Sequence, residues 1–336
     1  MPCRVISNEP VSPTAFVLTI VTPITSLIET PNTTTTRDVL ERAWAHGLWS
    51  LEFKQPQLQI ARNYTPLPPL PDEEDAMTEE EKRMLKVGFC RLRFYMRRYD
   101  GGEVSTYLSR LQEGDEVEIR GPHLGFDIDA RLGGDAGGKL VFLAGGTGIA
   151  PALQAATTVL QRRGDVDVDI LWANRSSADC AGPIMRQLQA LQAAYAQKGR
   201  TLRVQCVVDE EGSKVRPQDI TRAISVGGRR ATAAAAATSS TCSLHSQQQL
   251  EHSTEADDAN RGPERRRCNC PSEEGGRGGA GKNLFMISGP DGFVGAYVGP
   301  KVWAEGAERQ GRVGGVVANL MRKDPKTWEK WLVLKQ

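Results

Sequence analysis

The sequence predicts two domains, an antiparallel β-barrel followed by an α/β domain built on a parallel sheet, and two observations carry that expectation. From Ala15 to Gly125 short strand-like runs are separated by Pro, Gly and acidic turns, the spacing of a small barrel. From Lys139 onward, continuous apolar runs alternate with helix-length stretches, as in a parallel sheet with helical crossovers. The change falls at a glycine-rich joint, Gly133 to Gly138, and divides the chain at 1–135 and 136–336.

Size and composition agree. The 336 residues suit two domains, and an apolar content of 39% supplies substantial cores. With 42 basic and 41 acidic side chains the net charge is +1, so no global field draws the chain to nucleic acid or anionic lipid. No uninterrupted apolar run approaches the ~20 residues that span a bilayer. The seven cysteines, at 3, 90, 180, 206, 242, 268 and 270, are scattered and odd in number, and read as mostly reduced thiols. Met1 to Ile20 alternates apolar and polar residues and reads as a first strand, with neither signal peptide nor Arg-rich presequence. Any targeting segment or anchor is then expected outside this chain.

In the barrel the expected strands are Phe16 to Val21, Leu48 to Phe53, Leu58 to Tyr64, Leu92 to Tyr99 and Glu116 to Arg120. Pro68 to Lys86 is too acidic and Pro-rich for a strand and reads as a surface insertion containing a short helical series. In the second domain the strand Lys139 to Ala144 precedes a glycine turn and a helix from Pro151 to Arg162. The strand Asp169 to Asn174, a helix from Pro183 to Lys198 and the strand Leu202 to Val208 follow. Segment 226–282 combines an alanine run, Ser and Gln clusters and glycine-rich text with no aromatic residue, and reads as a disordered loop. The sheet resumes at Asn283 and is followed by helix-like and Gly-rich text.

Four motifs carry chemistry. Arg62-Asn63-Tyr64-Thr65-Pro66, at a strand end, offers a cation for a phosphate, a flat ring and a hydroxyl; taken alone it reads first as a strand end with an exposed Arg and a buried Tyr. Gly101-Gly102-Glu103-Val104-Ser105 is a glycine turn opening a short helix with Ser105 as the expected N-cap, either an anion site or an ordinary capped helix. Gly145-Gly146-Thr147-Gly148-Ile149-Ala150-Pro151 closes a buried parallel strand and opens a helix, with Pro151 near its first position. That context suits a dinucleotide, and the absence of a following Gly-Lys-Ser/Thr argues against phosphoryl transfer. Ser288-Gly289-Pro290 ends a later strand and is expected on the same sheet edge.

In this order, RxYTP, GGxxS, GGTGIxP and a GP turn, the sequence resembles the ferredoxin–NADP reductase superfamily, more closely its cytochrome b5 reductase-like branch, over about 15–225 and 283–295. The resemblance implies a two-domain reductase in which Arg62 contacts FAD phosphates, Tyr64 lies against the isoalloxazine and Thr65 reaches its reactive edge, with Pro66 completing the motif. It implies that Gly102, Val104 and Ser105 hold the pyrophosphate, and that Arg97 and Tyr99 lie beside the cofactor. Gly146, Thr147, Gly148 and Pro151 would flank NAD(P)H, with Ser288, Gly289 and Pro290 at the nicotinamide. Asp209 would accept a ribose hydroxyl bond and favour NADH over NADPH. Thr65 and Ser288 are the residues implied at the reacting edges.

Three departures stand out: Ser288 replaces a customary cysteine, the C-terminus Trp331 to Gln336 lacks a terminal flavin-covering aromatic, and 226–282 splits the second domain. Tyr64 to Pro69, Gly101 to Leu108 and the tail Gly295 to Trp303 further resemble the fungal mitochondrial cytochrome c import factors. Those are inner-membrane flavoproteins facing the intermembrane space that support haem attachment to cytochrome c. The expected acceptor is haem iron or a haem protein. A general cytochrome b5 reductase-like enzyme and an FAD-binding assembly factor without efficient NAD(P)H turnover stand as alternatives. Cys268-Asn269-Cys270 has no partner ligands at useful spacing, and His46, His123, His245 and His252 are dispersed, so no metal site is expected.

Overall fold

The computed structural model describes residues 1–22, 36–70, 77–79, 82–83, 89–132, 138–225, 283–304 and 306–336. Segment 226–282, with Cys242, Cys268, Cys270, His245 and His252, lies outside them, as do most of the acidic insertion and most of the Gly133–Gly138 joint.

In chain order the strands are β1 (Pro2–Pro10), β2 (Ala15–Thr22), β3 (Trp49–Gln55), β4 (Ile60–Tyr64), β5 (Cys90–Arg97), β6 (Glu116–Leu124), β7 (Lys139–Gly145), β8 (Asp167–Asn174), β9 (Leu202–Val208), β10 (Asn283–Ser288), β11 (Val302–Ala304), β12 (Ala307–Arg309) and β13 (Trp331–Lys335). The helices are α1 (Thr36–His46), α2 (Glu103–Leu108), α3 (Ile128–Arg131), α4 (Ile149–Arg162), α5 (Ser177–Cys180), α6 (Pro183–Gln197), α7 (Pro217–Ser225), α8 (Asp291–Val298), α9 (Gly315–Lys323) and α10 (Pro325–Trp328).

The fold combines an antiparallel barrel with a parallel-sheet α/β domain, as the sequence predicts. The barrel strands run in the order β4-β3-β6-β1-β2-β5. The two ends meet just beyond β4, where Pro66 bridges Phe94 and the Leu67 N–H donates to the Arg93 carbonyl (2.8 Å). Closure removes the unpaired edges that an open sheet exposes. The interior is filled by Val5, Leu18, Ile20, Phe53, Phe94 and Leu108, with the Phe53 and Phe94 rings edge-to-face at 4.8 Å.

The amino-terminal text forms two strands rather than one. Pro10 ends β1 because proline has no N–H for the ladder, and the chain turns into β2, whose Pro10↔Phe16 to Arg4↔Val21 register makes an antiparallel pair. Helix α1 is absent from the sequence expectation, although Leu40, Ala43 and Trp44 share one face and pack on the barrel core. Strand β5 stops at Arg97, two residues early, because the Tyr99 carbonyl turns to accept from the Gly102 N–H (2.9 Å).

The second sheet has the order β13-β10-β7-β8-β9, with β10 parallel to both β7 and β13. Every residue of β7 is buried, the pattern of a central parallel strand covered on both faces. The end of the chain, read from sequence as helix-like and Gly-rich, supplies strand β13 and the small β11–β12 hairpin. Trp328 and Trp331 pack beside Phe285 under that edge, which explains why an edge strand is buried on both faces.

The chain divides into two units: Met1–Asp127 with Ile149–Thr158 and Asn174–Ala194, and Ile128–Gly148 with Val159–Ala173 and Tyr195–Gln336. Composition suggested one cut near 135, whereas two later segments pack with the barrel. The reason is polar and buried. Gln154 accepts from the Trp49 N–H (3.1 Å) and donates to the Pro66 carbonyl (3.0 Å), and Gln187 donates to the Pro68 carbonyl (2.9 Å). Buried amides left without such partners would each cost about 1–3 kcal/mol.

Lys335, at the end of β13, is buried and donates through Nζ to the Pro300 and Arg312 carbonyls, both at 2.8 Å. Burial, and then the Lys301 charge, bring its ammonium down to about 8. Because the unfolded lysine titrates near 10.4, the unfolded chain holds more protons between pH 8 and 10, so folding stability rises with pH in that window. Urea titrations at pH 7.5 and 9.5 should show a gain of about 1–2 kcal/mol that is missing in Lys335→Met. A wild-type protein with no such gain would contradict it.

Candidate functional site

On the barrel, β4 alternates, so Arg62 and Tyr64 share one face. Arg62 is exposed, with Nη1 donating to its neighbour's Ala61 carbonyl (2.8 Å). Tyr64 is half-buried, edge-on to Phe53 at 5.6 Å. Burial and then the nearby Tyr99 push its phenol up to about 12, against the pull of Arg62. Tyr99 is exposed, Thr65 half-buried, and Pro66 buried in the closing bridge.

The N-cap of α2 is Gly102, not Ser105. Ser105 lies in the first turn, buried, where its hydroxyl accepts from the Tyr99 N–H (3.1 Å) and donates to the Gly102 carbonyl (3.0 Å). It clamps the turn from inside. A Cβ on Gly102 would lie 2.6 Å from the Ser105 Oγ and 3.1 Å from the Tyr99 carbonyl oxygen, so only glycine permits this closure. Val104 points its side chain into the barrel core, leaving only its backbone for a ligand. The turn borders an open cavity of about 460 Å³ lined by Gln55, Gln57, Gly101, Gly102, Thr106 and Arg110, among others.

Arg97 is engaged inside the protein. Its guanidinium is buried and lies 2.5 Å from the equally buried Asp179 carboxylate, which accepts from the Ser12 hydroxyl (2.6 Å). Burial works against both charges. The bonds from Ser12 and Arg97 outweigh it and hold Asp179 below the usual carboxylate range, while Asp179 keeps Arg97 above its own. Asp179 was invisible to motif reading, since nothing in Ser177–Cys180 marks a partner for a residue so far back along the chain.

In the α/β unit, β7 and β10 are parallel neighbours with Ala144 opposite Ser288, so the turns that follow them adjoin at their carboxyl ends. Contact is tight: a Cβ on Gly148 would fall 2.2 Å from the Ser288 carbonyl oxygen. Gly146–Gly148 forms a single 3-10 turn whose Gly146 carbonyl accepts from the Trp172 indole N–H (2.9 Å). Thr147, Ser288 and Gly289 are half-buried and Pro290 is exposed. Pro151 is the third residue of α4 rather than the first, which a first turn tolerates because its N–H would have no intrahelical acceptor. Asp209 is exposed immediately after β9. Sequence reading missed Phe293, whose ring lies against Gly145 and Gly289, and its i+4 neighbour Tyr297.

These donor sets fit the implied groups. The exposed Arg62 cation, the Tyr64 ring and the glycine turn with a helix start suit an aromatic diphosphate such as FAD. Paired glycine turns at parallel strand ends suit a dinucleotide. Among the described residues no group of His, Cys, Asp or Glu is placed to hold a metal ion, and no helix is long and apolar enough to cross a membrane.

Residues 142–233 match the oxidoreductase NAD-binding domain family. The chain is 39% identical over 87 residues to the cytochrome c mitochondrial import factor CYC2 of Saccharomyces cerevisiae, covering 25% of this chain and 23% of that protein. It is 31% identical over 123 residues to an uncharacterized FAD-binding protein of Schizosaccharomyces pombe, 37% of this chain and 36% of the other. To rat NADH-cytochrome b5 reductase 1 it is 32% identical over 151 residues, 41% and 46% of the two chains. The aligned regions thus span less than half the length of these curated relatives.

Proposed function

We propose that this chain, which belongs to the ferredoxin–NADP reductase superfamily and stands with its cytochrome b5 reductase-like branch, is an FAD-dependent oxidoreductase passing electrons from NADH to haem iron. The observation that carries the proposal is the pair of adjoining turns at Gly146–Gly148 and Ser288–Pro290, the first of them inside residues 142–233, which match the NAD-binding domain family.

Arg62 would neutralise a cofactor phosphate, and the α2 turn at Gly102 would add backbone N–H donors to the pyrophosphate. Tyr64 would present its ring to the flavin, and Thr65 its hydroxyl to the flavin edge. Bound FAD would supply the hydride-accepting and one-electron-donating chemistry that no side chain offers. Gly146, Thr147, Gly148 and Pro151 would approach the nucleotide through backbone, Ser288, Gly289 and Pro290 would orient the nicotinamide, and Asp209 would accept from a ribose hydroxyl and repel a 2′-phosphate. The overall conversion balances as NADH plus two ferric haems giving NAD⁺, a proton and two ferrous haems. No acid–base residue is required at the nicotinamide, in keeping with the scarcity of histidine.

The resemblance to the import factor favours a mitochondrial role in which reduced haem is readied for attachment to cytochrome c, at the inner membrane facing the intermembrane space. A general cytochrome b5 reductase-like activity differs only in its acceptor. The test is anaerobic stopped-flow of the FAD-loaded protein with NADH and, separately, NADPH, followed by transfer to free ferric haem, cytochrome b5 or cytochrome c. Rapid bleaching of the flavin band, faster with NADH, is expected. A bound flavin reduced by neither nucleotide would overturn the hydride-transfer reading and leave an FAD-binding assembly factor.

A further inference from the structure

Helix α8 starts directly after the Ser288–Pro290 turn and carries Phe293 and, one turn later, Tyr297, with ring centroids 4.9 Å apart. Phe293 faces the glycine turns: a Cβ on Gly145 would lie 2.7 Å from its ring, and one on Gly289 3.0 Å. Tyr297 reaches the other way. Its hydroxyl donates to the Val215 carbonyl (2.9 Å), in the loop that leaves β9 at Asp209.

The first part of that loop is closed on itself. The Gly212 N–H donates to the Asp209 carbonyl (2.9 Å), and Ser213 Oγ accepts from the Val208 N–H (2.6 Å) while donating to the Val208 carbonyl (3.0 Å). The rest of the loop is fastened to α8 through Tyr297. Burial, and then the charges of Asp209 and Asp219, raise the Tyr297 phenol, which sets the ring in the field of the loop's acid. The Tyr297 ring packs against the same core as Val294 and Val298, and its hydroxyl reaches beyond that packing to the Val215 carbonyl.

We propose that Tyr297, backed by Phe293, is a specificity-setting positioning residue that holds the Asp209 loop at a fixed distance from the Gly289 turn. This inference rests on the nucleotide-binding reading of the α/β unit and adds the device that makes Asp209 discriminating. A carboxylate selects a free ribose hydroxyl over a 2′-phosphate only if it is held at hydrogen-bonding reach of that ribose. An unfastened loop lets the carboxylate withdraw and lets a phosphate in.

The test is calorimetric titration of the whole protein with 5′-AMP and with adenosine 2′,5′-bisphosphate, using wild type, Tyr297→Phe, Asp209→Ala and the double variant. Tyr297→Phe keeps the ring and loses one hydrogen bond, so 5′-AMP should bind about five-fold more weakly, with a matching loss of preference over the bisphosphate. In the Asp209→Ala background the same change should add nothing, because the tether acts through that carboxylate. Equal binding and selectivity in Tyr297→Phe and wild type, or additive effects in the double variant, would overturn the proposal. A wild-type protein that binds neither ligand would strike the nucleotide-binding reading itself and the tether with it.

Discussion

Gly148→Ala is expected to lower NADH-dependent flavin reduction about 100-fold while FAD stays bound, on the scale by which a displacement of about 1 Å slows a positioned reaction. The added Cβ would sit 2.2 Å from the Ser288 carbonyl oxygen and 3.0 Å from the Gly289 nitrogen, both backbone atoms that cannot swing aside. The two turns must therefore part, and the nucleotide would lose one of its flanks. Overpacking of this kind also costs about 1–3 kcal/mol of stability. Gly295→Ala is the control: nothing lies within 4 Å of its added Cβ in the middle of α8, and alanine there should stabilise by about 0.5–1 kcal/mol. Stopped-flow rates and urea midpoints of the two variants check the pair. A Gly148→Ala protein reduced at the wild-type rate would remove these turns from the reaction.

Asp179→Asn is expected to destabilise the barrel unit by about 3–5 kcal/mol at neutral pH, because it leaves the Arg97 guanidinium buried without its counter-charge. The wild-type ion pair also has a pH signature. Despite the opposing effect of burial, the bonds from Ser12 and Arg97 hold the Asp179 carboxyl below its unfolded value near 3.8. The unfolded chain therefore binds the extra proton first. This stabilisation is complete above the unfolded value and drains away as pH falls through the lower folded one. Melting temperatures from pH 7 to 3 should fall more steeply in wild type than in Asp179→Asn across the acid end. Replacing both partners by apolar residues, Arg97→Met with Asp179→Leu, should recover much of the loss. Parallel acid limbs in wild type and Asp179→Asn would show that the pair does not carry this linkage.

The Arg97 result changes how the barrel motif is understood. Resemblance alone would assign Arg62 and Arg97 alike to the cofactor, yet one is exposed and the other is buried against Asp179. Substitution at Arg97 would be felt first as instability.

Features whose cause is local were legible before folding. Strand β7 announces itself because a central parallel strand is apolar along its whole length, and the glycines after it stand where backbone must approach backbone. The Arg62 motif at a strand end and the Gly101-Gly102 turn depend on spacing within a few residues, which a linear reading preserves. Even so, the register of detail slipped where tertiary packing intervened. Gly102 caps α2 because Ser105 is drawn inside to bind the Tyr99 N–H. Strand β13 exists because Phe285, Trp328 and Trp331 cover it, and a short run such as Trp331–Lys335 has no periodic signal of its own.

The linear order of residues thus decided the two fold types, the positions of the glycine turns and the chemistry they can host, because strand and helix periodicity and backbone freedom act over a few residues. Folding alone decided which distant polar groups meet. Asp179 with Arg97, Gln154 with Trp49 and Pro66, and Tyr297 with Val215 are pairs of this kind. The reason is that a buried hydrogen bond or ion pair depends on which surfaces are excluded from water together, a property of the assembled core that no short stretch of chain contains.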